Sequence, residues 1–223
     1  MLVTENEELQ VYEQKTYVSR GGVKLAFALD NYAINVAGLD CLDVGTGSGG
    51  FTDCLLKRGA RSVTAIDVGY GQFDWRLRQD SRVKLFERTN FRYFPLPEAN
   101  ALYDLVVVDL SFTKTSALIA KIKSLINSGG QTIILIKPQF ELSANQAASE
   151  GFQAGIVLEE KLHQEVLEQF LKQATLAGLV TYGLCPSPIK GADGNSEFLF
   201  WAKPSGIGAN IDIEKVVRLS CSN

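Results

Sequence analysis

The chain has 223 residues, of which 46% are hydrophobic and 21% are charged, and its formal net charge is −3. These values are ordinary for a globular protein, and the length predicts a single domain that buries most of its unfolded surface. The mild acidity argues against a nucleic-acid binder that relies on charge alone, although it permits a local basic patch. No apolar run reaches the roughly 18 residues that a membrane span requires, and the acidic N-terminus is unlike a secretory signal.

The order of the predicted elements is typical of an α/β fold with a parallel sheet. Strands are predicted at 39–44, 62–67, 83–86, 103–108, 131–136, 179–185 and 196–203. Helices are predicted at 23–34, 50–58, 72–79, 114–126 and 159–177, with a turn at Gly129-Gly130. The last two strands leave no room for a helix between them, so we expect them to pair in antiparallel fashion. The sequence therefore predicts a doubly wound, mostly parallel sheet of seven strands with an antiparallel C-terminal pair.

A glycine-rich turn after the first strand indicates a site for a nucleoside cofactor. Four glycines follow Asp43 within a few residues, at Gly45, Gly47, Gly49 and Gly50. Glycine allows sharp turns and a close approach of the ligand, because it has no Cβ atom. The second strand ends in Asp67, and an acidic residue there can accept hydrogen bonds from both hydroxyls of a ribose. A turn without a ligand would have no evident need for so many glycines.

Two cofactors are compatible with this turn. Gly45, Gly47 and Gly50 also satisfy the G-x-G-x-x-G pattern of dinucleotide sites. Asp43 discriminates between the two, because its carboxylate would repel a pyrophosphate bound at the start of the following helix. S-adenosylmethionine carries an amino group and a sulfonium but no phosphate. We therefore favour S-adenosylmethionine over a nicotinamide cofactor, and the antiparallel strand pair favours the methyltransferase version of the fold.

Charged residues stand at the ends of four predicted strands: Asp43, Asp67, Asp109 and Lys137. Each alone would be ordinary as a helix cap or a surface charge. The carboxyl ends of parallel strands meet at one edge of an open sheet, and ligands bind at that edge. Together these residues predict an active site beside the glycine-rich turn, and we expect the long connection 138–158 to cover it.

No metal is predicted. His163 is the only histidine and lies within the predicted helix 159–177, which argues against a zinc site built on histidines. The four cysteines have no metal-ligand spacing and are predicted to be reduced thiols of a cytoplasmic protein; they are Cys41, Cys54, Cys185 and Cys221.

Seven motifs occur between Tyr17 and Pro204. They are Tyr17–Leu25 (YVSRGGVKL), Asp43–Asp53 (DVGTGSGGFTD), Asp67–Gln72 (DVGYGQ), Glu87–Asn90 (ERTN), Asp109–Phe112 (DLSF), Lys137–Glu141 (KPQFE) and Pro186–Ile189 (PSPI). In this combination they resemble the TlyA (hemolysin A) family of FtsJ-like RNA ribose 2′-O-methyltransferases. The resemblance implies S-adenosylmethionine as the cofactor and ribosomal RNA or a ribosomal subunit as the partner.

The resemblance also implies a Lys-Asp-Lys-Glu catalytic set, which falls on Lys24, Asp109, Lys137 and Glu197. We expect Lys137 to contact the 2′-hydroxyl, either as a general base or as a cation that stabilises the developing alkoxide. The predicted cofactor-binding residues are Asp43, Gly45, Thr46, Gly47, Gly49, Gly50, Phe51, Thr52, Asp67, Val68, Asn90 and Asp109.

Members of this family usually carry a small N-terminal RNA-binding module. We therefore predict that residues 1–16 are a tail left from a linker to such a module, that 17–204 form the methyltransferase domain, and that 205–223 are a C-terminal tail. Two other functions stay open: a non-catalytic protein that binds S-adenosylmethionine and RNA, and a membrane-lytic hemolysin. The best lytic candidate, segment 211–219, is short and mixed in polarity. The sequence predicts neither an oligomeric state nor a target nucleotide.

Overall fold

The computed structural model describes residues 16–95 and 102–221. Its strands are β1 (Asp40–Val44), β2 (Ser62–Ile66), β3 (Val83–Phe86), β4 (Tyr103–Val108), β5 (Ile126–Ile136), β6 (Phe152–Gln153), β7 (Ile156–Val157), β8 (Val180–Pro186) and β9 (Phe198–Lys203). Its helices are α1 (Arg20–Asn31), α2 (Gly50–Lys57), α3 (Trp75–Arg78), α4 (Ile119–Ser124), α5 (Pro138–Glu141), α6 (Ala144–Ala147), α7 (Glu160–Leu176) and α8 (Ile213–Cys221). Two 3-10 turns lie at Phe91–Tyr93 and Thr115–Leu118.

Seven of these strands form one sheet in the order β3-β2-β1-β4-β5-β9-β8. Pairing is parallel from β3 to β5, whereas β9 runs antiparallel to both of its neighbours. The predicted fold is thereby confirmed, including the antiparallel pair at the C-terminal end. The strand order reverses between β1 and β4, and in open α/β sheets this reversal opens a crevice at the carboxyl ends of the strands.

Both faces of the sheet are buried, which explains why its central strands are continuous apolar runs. On β4, Leu105 and Val107 point to the layer formed by α1, α2 and α3, while Val106 and Val108 point to the layer formed by α4, α7 and α8. Successive side chains of a strand alternate between faces, so every residue of such a run contributes to one of the two cores.

The prediction around Gly129-Gly130 was wrong. The expected helix 114–126 is a 3-10 turn followed by α4, and β5 already begins at Ile126, so both glycines lie within a strand rather than in a turn. The register of the β4–β5 pair shifts between Tyr103 and Leu105. A Cβ atom on Gly130 would lie 2.9 Å from the carbonyl oxygen of Asp104. Glycine is therefore required here by the close approach of two strands.

The prediction of a tail over 205–223 was also wrong in its second half. Residues 213–221 form α8, whose Val216 and Val217 are buried against the layer that contains α7. The predicted N-terminal tail lies outside the described residues except for Thr16. Among the residues that the structure describes, no helix is both long enough and apolar enough to cross a bilayer.

Candidate active site

A cavity of about 460 Å³ opens at the carboxyl ends of β1, β2, β4 and β5. Its wall is formed by Ser19, Gly21, Gly45, Thr46, Gly47, Ser48, Ile66, Asp67, Val68, Gly69, Gln72, Thr89, Phe91, Asp109, Leu110, Ser111, Phe112 and Lys137. Three of the four strand-end residues predicted from the sequence lie on this wall: Asp67, Asp109 and Lys137. The fourth, Asp43, is buried and does not line the cavity.

The turn between β1 and α2 depends on glycine for its path. Gly45 has a φ of 81°, and a Cβ atom there would lie 2.4 Å from the carbonyl oxygen of Asp109. No side chain fits that space. The amides of Gly45 and Thr46 both donate to the carbonyl of Ile66, at 2.9 and 3.2 Å, which holds the turn against the end of β2.

Asp67 faces the cavity from the end of β2. One carboxylate oxygen accepts a hydrogen bond from the amide of Gly47 at 2.8 Å. The other accepts from the amide of Gly69 at 2.6 Å and from the side chain of Gln72 at 3.2 Å. A carboxylate offers about four lone-pair sites, so this orientation leaves capacity for a further donor from a ligand.

Asp43 is completely buried beneath the turn. Its Oδ2 accepts hydrogen bonds from the hydroxyls of Thr46 at 2.9 Å and Thr52 at 2.6 Å, while its Oδ1 is buried without a hydrogen-bond partner. Burial raises the pKa of Asp43 to about 7, although the two threonine hydroxyls oppose that change. A buried acceptor without a donor is uncommon in folded proteins and marks a position that a ligand or a water molecule can satisfy.

The predicted cofactor-binding residues fall into two layers. Gly45, Thr46, Gly47, Asp67, Val68 and Asp109 line the cavity. Asp43, Gly49, Gly50, Phe51, Thr52 and Asn90 lie outside its lining. The second group shapes the backbone instead: Gly50, for example, packs closely against Ser19 and α1, and the side chain of Asn90 caps the 3-10 turn at Phe91–Tyr93.

Lys137 and Asp109 meet on the cavity wall. The ammonium nitrogen of Lys137 lies 2.6 Å from Oδ1 of Asp109, an ion pair without the angles of a hydrogen bond, and it donates to the hydroxyl of Ser111 at 2.8 Å. Lys137 directly follows β5 and is the N-cap of α5, whereas Asp109 directly follows β4. Adjacent parallel strands thus bring the two side chains together.

Lys24 and Glu197 form a second ion pair, buried from solvent, with the ammonium donating to Oε2 of Glu197. Neither residue lines the cavity. Lys24 lies one turn along α1 from Gly21, and Gly21 is part of the cavity wall. The β5–β9 register pairs Ile136 with Phe198. In that register Lys137 and Glu197 are the next opposing positions, so the fold makes the two pairs neighbours. Each pair couples one cation to one carboxylate.

Several wall residues were missed by the sequence-based prediction. Phe112 is the most distinctive: it is 91% exposed, its φ is 59°, and its ring centre lies 5.1 Å from that of Phe140. A positive φ is uncommon for an aromatic residue and is characteristic of functional sites. The signal that could have identified Phe112 is its place in the DLSF motif, three residues after Asp109.

The connection 138–158 does not cover the cavity as expected, because none of its residues lines the wall. It folds into α5, α6 and the β6–β7 hairpin, and packs through Leu142 and Val157 against α7. His163 is buried on α7 with its ring against Phe198. Within the described parts of the chain, no group of three or more His, Cys, Asp or Glu residues is arranged to hold a metal ion.

Comparison with known proteins gives consistent results. The sequence pattern of the family described as FtsJ-like methyltransferase matches residues 17–204. TlyA of Mycobacterium tuberculosis, a 16S/23S rRNA (cytidine-2′-O)-methyltransferase, is 38% identical over 85% of this chain and 69% of its own length. Hemolysin A of Brachyspira hyodysenteriae is 34% identical over 88% of this chain and 81% of its own length.

Among solved structures, a candidate hemolysin from Streptococcus thermophilus is similar to this chain with a TM-score of 0.86 and 37% sequence identity. The similarity covers 94% of this chain and 76% of the other. The structural neighbour thus shares nearly the whole fold of this chain.

Proposed function

Because the chain belongs to the FtsJ-like methyltransferase family, we propose that it transfers the methyl group of S-adenosylmethionine to a ribose 2′-hydroxyl of ribosomal RNA. One observation carries the proposal: the glycine-rich turn with Asp67 and the Lys137–Asp109 pair open onto the same cavity. The similarity to TlyA of M. tuberculosis supports a cytidine as the acceptor nucleotide. We propose a cytoplasmic location, because the proposed substrate is ribosomal RNA.

The residues of the cavity fit S-adenosylmethionine. The volume of the cavity falls within the usual range for small-molecule sites. Ile66, Val68, Phe91 and Leu110 supply an apolar wall for an adenine, and Asp67 supplies an acceptor for ribose hydroxyls. The carboxylates on the wall oppose a pyrophosphate and favour a cationic ligand. When bound, S-adenosylmethionine supplies an electrophilic methyl group on a sulfonium.

Lys137 acts on the acceptor hydroxyl. Ser111 and Asp109 hold its nitrogen in place, at 2.8 Å and 2.6 Å. As an ammonium it stabilises negative charge that develops on the attacking oxygen, and as a neutral amine it takes the proton from that oxygen. Alignment of the hydroxyl with the methyl group contributes further, since correct orientation alone supplies several kcal/mol of a barrier.

The Lys24–Glu197 pair places additional charges next to Lys137. Because Glu197 binds Lys24, its carboxylate is oriented by a buried cation rather than by solvent. Phe112, exposed at the mouth of the cavity, offers a flat ring on which the base of the acceptor nucleotide can stack. Arg20, Arg88, Arg92 and Lys190 are proposed to contact the RNA backbone around this opening.

Replacing Lys137 tests the proposed role directly. Lys137→Ala should lower methyl transfer to under-methylated ribosomes by about 10²–10⁴, the usual contribution of a positioned proton-transfer group. Its affinity for S-adenosylmethionine, measured by calorimetry, should stay within about threefold, because Lys137 lies on the acceptor side.

Lys84→Ala is the matched control, since Lys84 is an exposed lysine on β3 and lies outside the cavity wall. Lys137→Arg separates the two roles of Lys137, because arginine keeps the charge but does not act as a base at neutral pH. A Lys137→Ala protein with more than a tenth of the wild-type turnover would remove Lys137 from the mechanism.

A further inference from the structure

The short hairpin formed by β6 and β7, which we call the 152–157 hairpin, lies between the two segments that carry Lys137 and Glu197. On one side, Val157 packs with Leu142, which directly follows α5, and Lys137 is the N-cap of that helix. On the other side, the hairpin contacts Asn195, two residues before Glu197. The hairpin itself does not line the cavity.

Asn195 makes this second contact with its side chain. Its Oδ1 accepts a hydrogen bond from the amide of Val157 at 3.0 Å, and its Nδ2 donates to the carbonyl of Gly155 at 2.9 Å. Asn195 is only 1% exposed, and its bond to the buried Val157 is shielded from water, whereas Gly155 is exposed. The Asn195 side chain therefore satisfies one buried backbone amide of the hairpin and adds a second bond at its exposed end.

The backbone on either side of Asn195 is fixed by further hydrogen bonds. The amide of Gly191 donates to the carbonyl of Asn195 at 2.9 Å, and the amide of Ser187 donates to the carbonyl of Glu197 at 2.8 Å. Segment 187–197 contains no helix or strand. The bond from Arg20 to the carbonyl of Lys190 and the Lys24–Glu197 pair also hold this segment. The side chain of Asn195 provides the two bonds that attach it to the hairpin.

We propose that Asn195 is a positioning residue, which fixes Glu197, and through it Lys24, by attaching segment 187–197 to the 152–157 hairpin. The same hairpin packs beside α5, so one small element contacts both segments that carry the ion pairs. Asn195 does not line the cavity. This proposal rests on the proposed function, because it assigns a role in the same methyl transfer.

The test is a double-mutant cycle with Glu197. Asn195→Ala should lower turnover on under-methylated ribosomes by about 10- to 100-fold, as expected for a misplaced reacting group, with the affinity for S-adenosylmethionine within about threefold. In a Glu197→Gln background the same substitution should change turnover by less than about threefold, because the group that it positions has been altered. Equal losses in both backgrounds would overturn the proposal, since they would indicate a general effect on folding.

A second variant disturbs the hairpin without replacing Asn195. Gly155 has a φ of 82° and no neighbour within 4 Å of an added Cβ atom, so Gly155→Ala strains only the backbone of the hairpin. Gly38 has a φ of 77° and equally open surroundings in the turn before β1, and Gly38→Ala is the matched control. We expect a several-fold loss of turnover for Gly155→Ala and none for Gly38→Ala. Wild-type turnover in both Gly155→Ala and Asn195→Ala would contradict the proposal.

Hydrogen exchange provides a readout that does not depend on methylation. Amides of segment 187–197, including that of Ser187, should exchange faster in Asn195→Ala and Gly155→Ala, while those of β1 and β4 should be unchanged. If the wild-type protein transferred no methyl group to RNA, the proposed function would fail, and exchange would still decide whether Asn195 fixes this segment. Unchanged exchange in both variants would overturn the positioning role.

Discussion

At the scale of single residues, Asp43 combines complete burial with an oxygen that has no hydrogen-bond donor. Burial raises its pKa from the usual value of 3.8 to about 7. Between these values the folded protein holds a proton that the unfolded chain has released. The contribution of Asp43 to the free energy of unfolding therefore falls as the pH rises from about 4 to about 7.

Replacing Asp43 by asparagine should remove this pH dependence. Relative to Asp43→Asn, the wild-type protein should lose stability between pH 4 and pH 7, by an amount on the order of a few kcal/mol, since each unit of pKa corresponds to about 1.4 kcal/mol. Urea unfolding at several pH values measures the difference. Parallel pH profiles for the two proteins would show that Asp43 titrates normally in the folded state.

Asp67 is expected to bind the ribose hydroxyls of the cofactor. Asp67→Ala should weaken S-adenosylmethionine binding by roughly 1.5–3 kcal/mol, the range for hydrogen bonds to a charged group. Asp80→Ala serves as the control, because Asp80 pairs with Arg82 and lies outside the cavity wall. Calorimetry on both variants gives the comparison, and an unchanged affinity in Asp67→Ala would exclude Asp67 as a cofactor contact.

Residue types could be predicted from the sequence, but their contacts could not. The charges at Asp109 and Lys137 were identified because they end apolar strands. The pairing of Lys24 with Glu197 joins residues 173 positions apart and depends on how α1 packs against the end of β9. The exposure of Phe112 depends on a backbone conformation that its motif does not reveal.

At the scale of elements, α8 contributes to the core although it follows the last strand of the sheet. Val217 is fully buried, whereas Leu219 on the same helix is 49% exposed. Val217→Ala should lower the free energy of unfolding by about 1.5–3 kcal/mol, because it removes buried methyl groups and leaves a cavity. Leu219→Ala should cost less than about 0.5 kcal/mol. Urea unfolding compares the two, and equal effects would show that α8 does not pack as described.

The helices and strands also show which sequence signals were sufficient to predict secondary structure. The bounds of β3 and β4 were predicted as the structure has them, and β4 shows why, because it is a short, buried apolar run. The spacing of Ile213, Val216, Val217 and Ser220 is that of an amphipathic helix, so a signal for α8 was present and was overlooked. The first half of β5 could not be predicted, since Gly129-Gly130 has the composition of a turn and the approach of Asp104 explains only Gly130.

At the scale of the whole molecule, the sheet brings together groups from distant parts of the chain. The strand reversal between β1 and β4 opens the cavity, parallel pairing joins Asp109 to Lys137, and the reversed strand β9 brings Glu197 beside them. The net charge of −3 leaves RNA binding to local basic residues. The fold could be predicted from the alternation of elements, whereas the assembly of two ion pairs required the register of the sheet.

Methylation of a ribose 2′-hydroxyl of ribosomal RNA by this assembly can be measured directly. Under-methylated ribosomes should be incubated with the wild-type protein and S-adenosylmethionine carrying a labelled methyl group, then digested to nucleosides and analysed by mass spectrometry, with Lys137→Ala in parallel. We expect a 2′-O-methylated nucleoside that is nearly absent from the Lys137→Ala sample, and we expect it to be cytidine by similarity to the mycobacterial relative. Label on a nucleobase or on ribosomal protein, or no transfer by the wild-type protein, would contradict it.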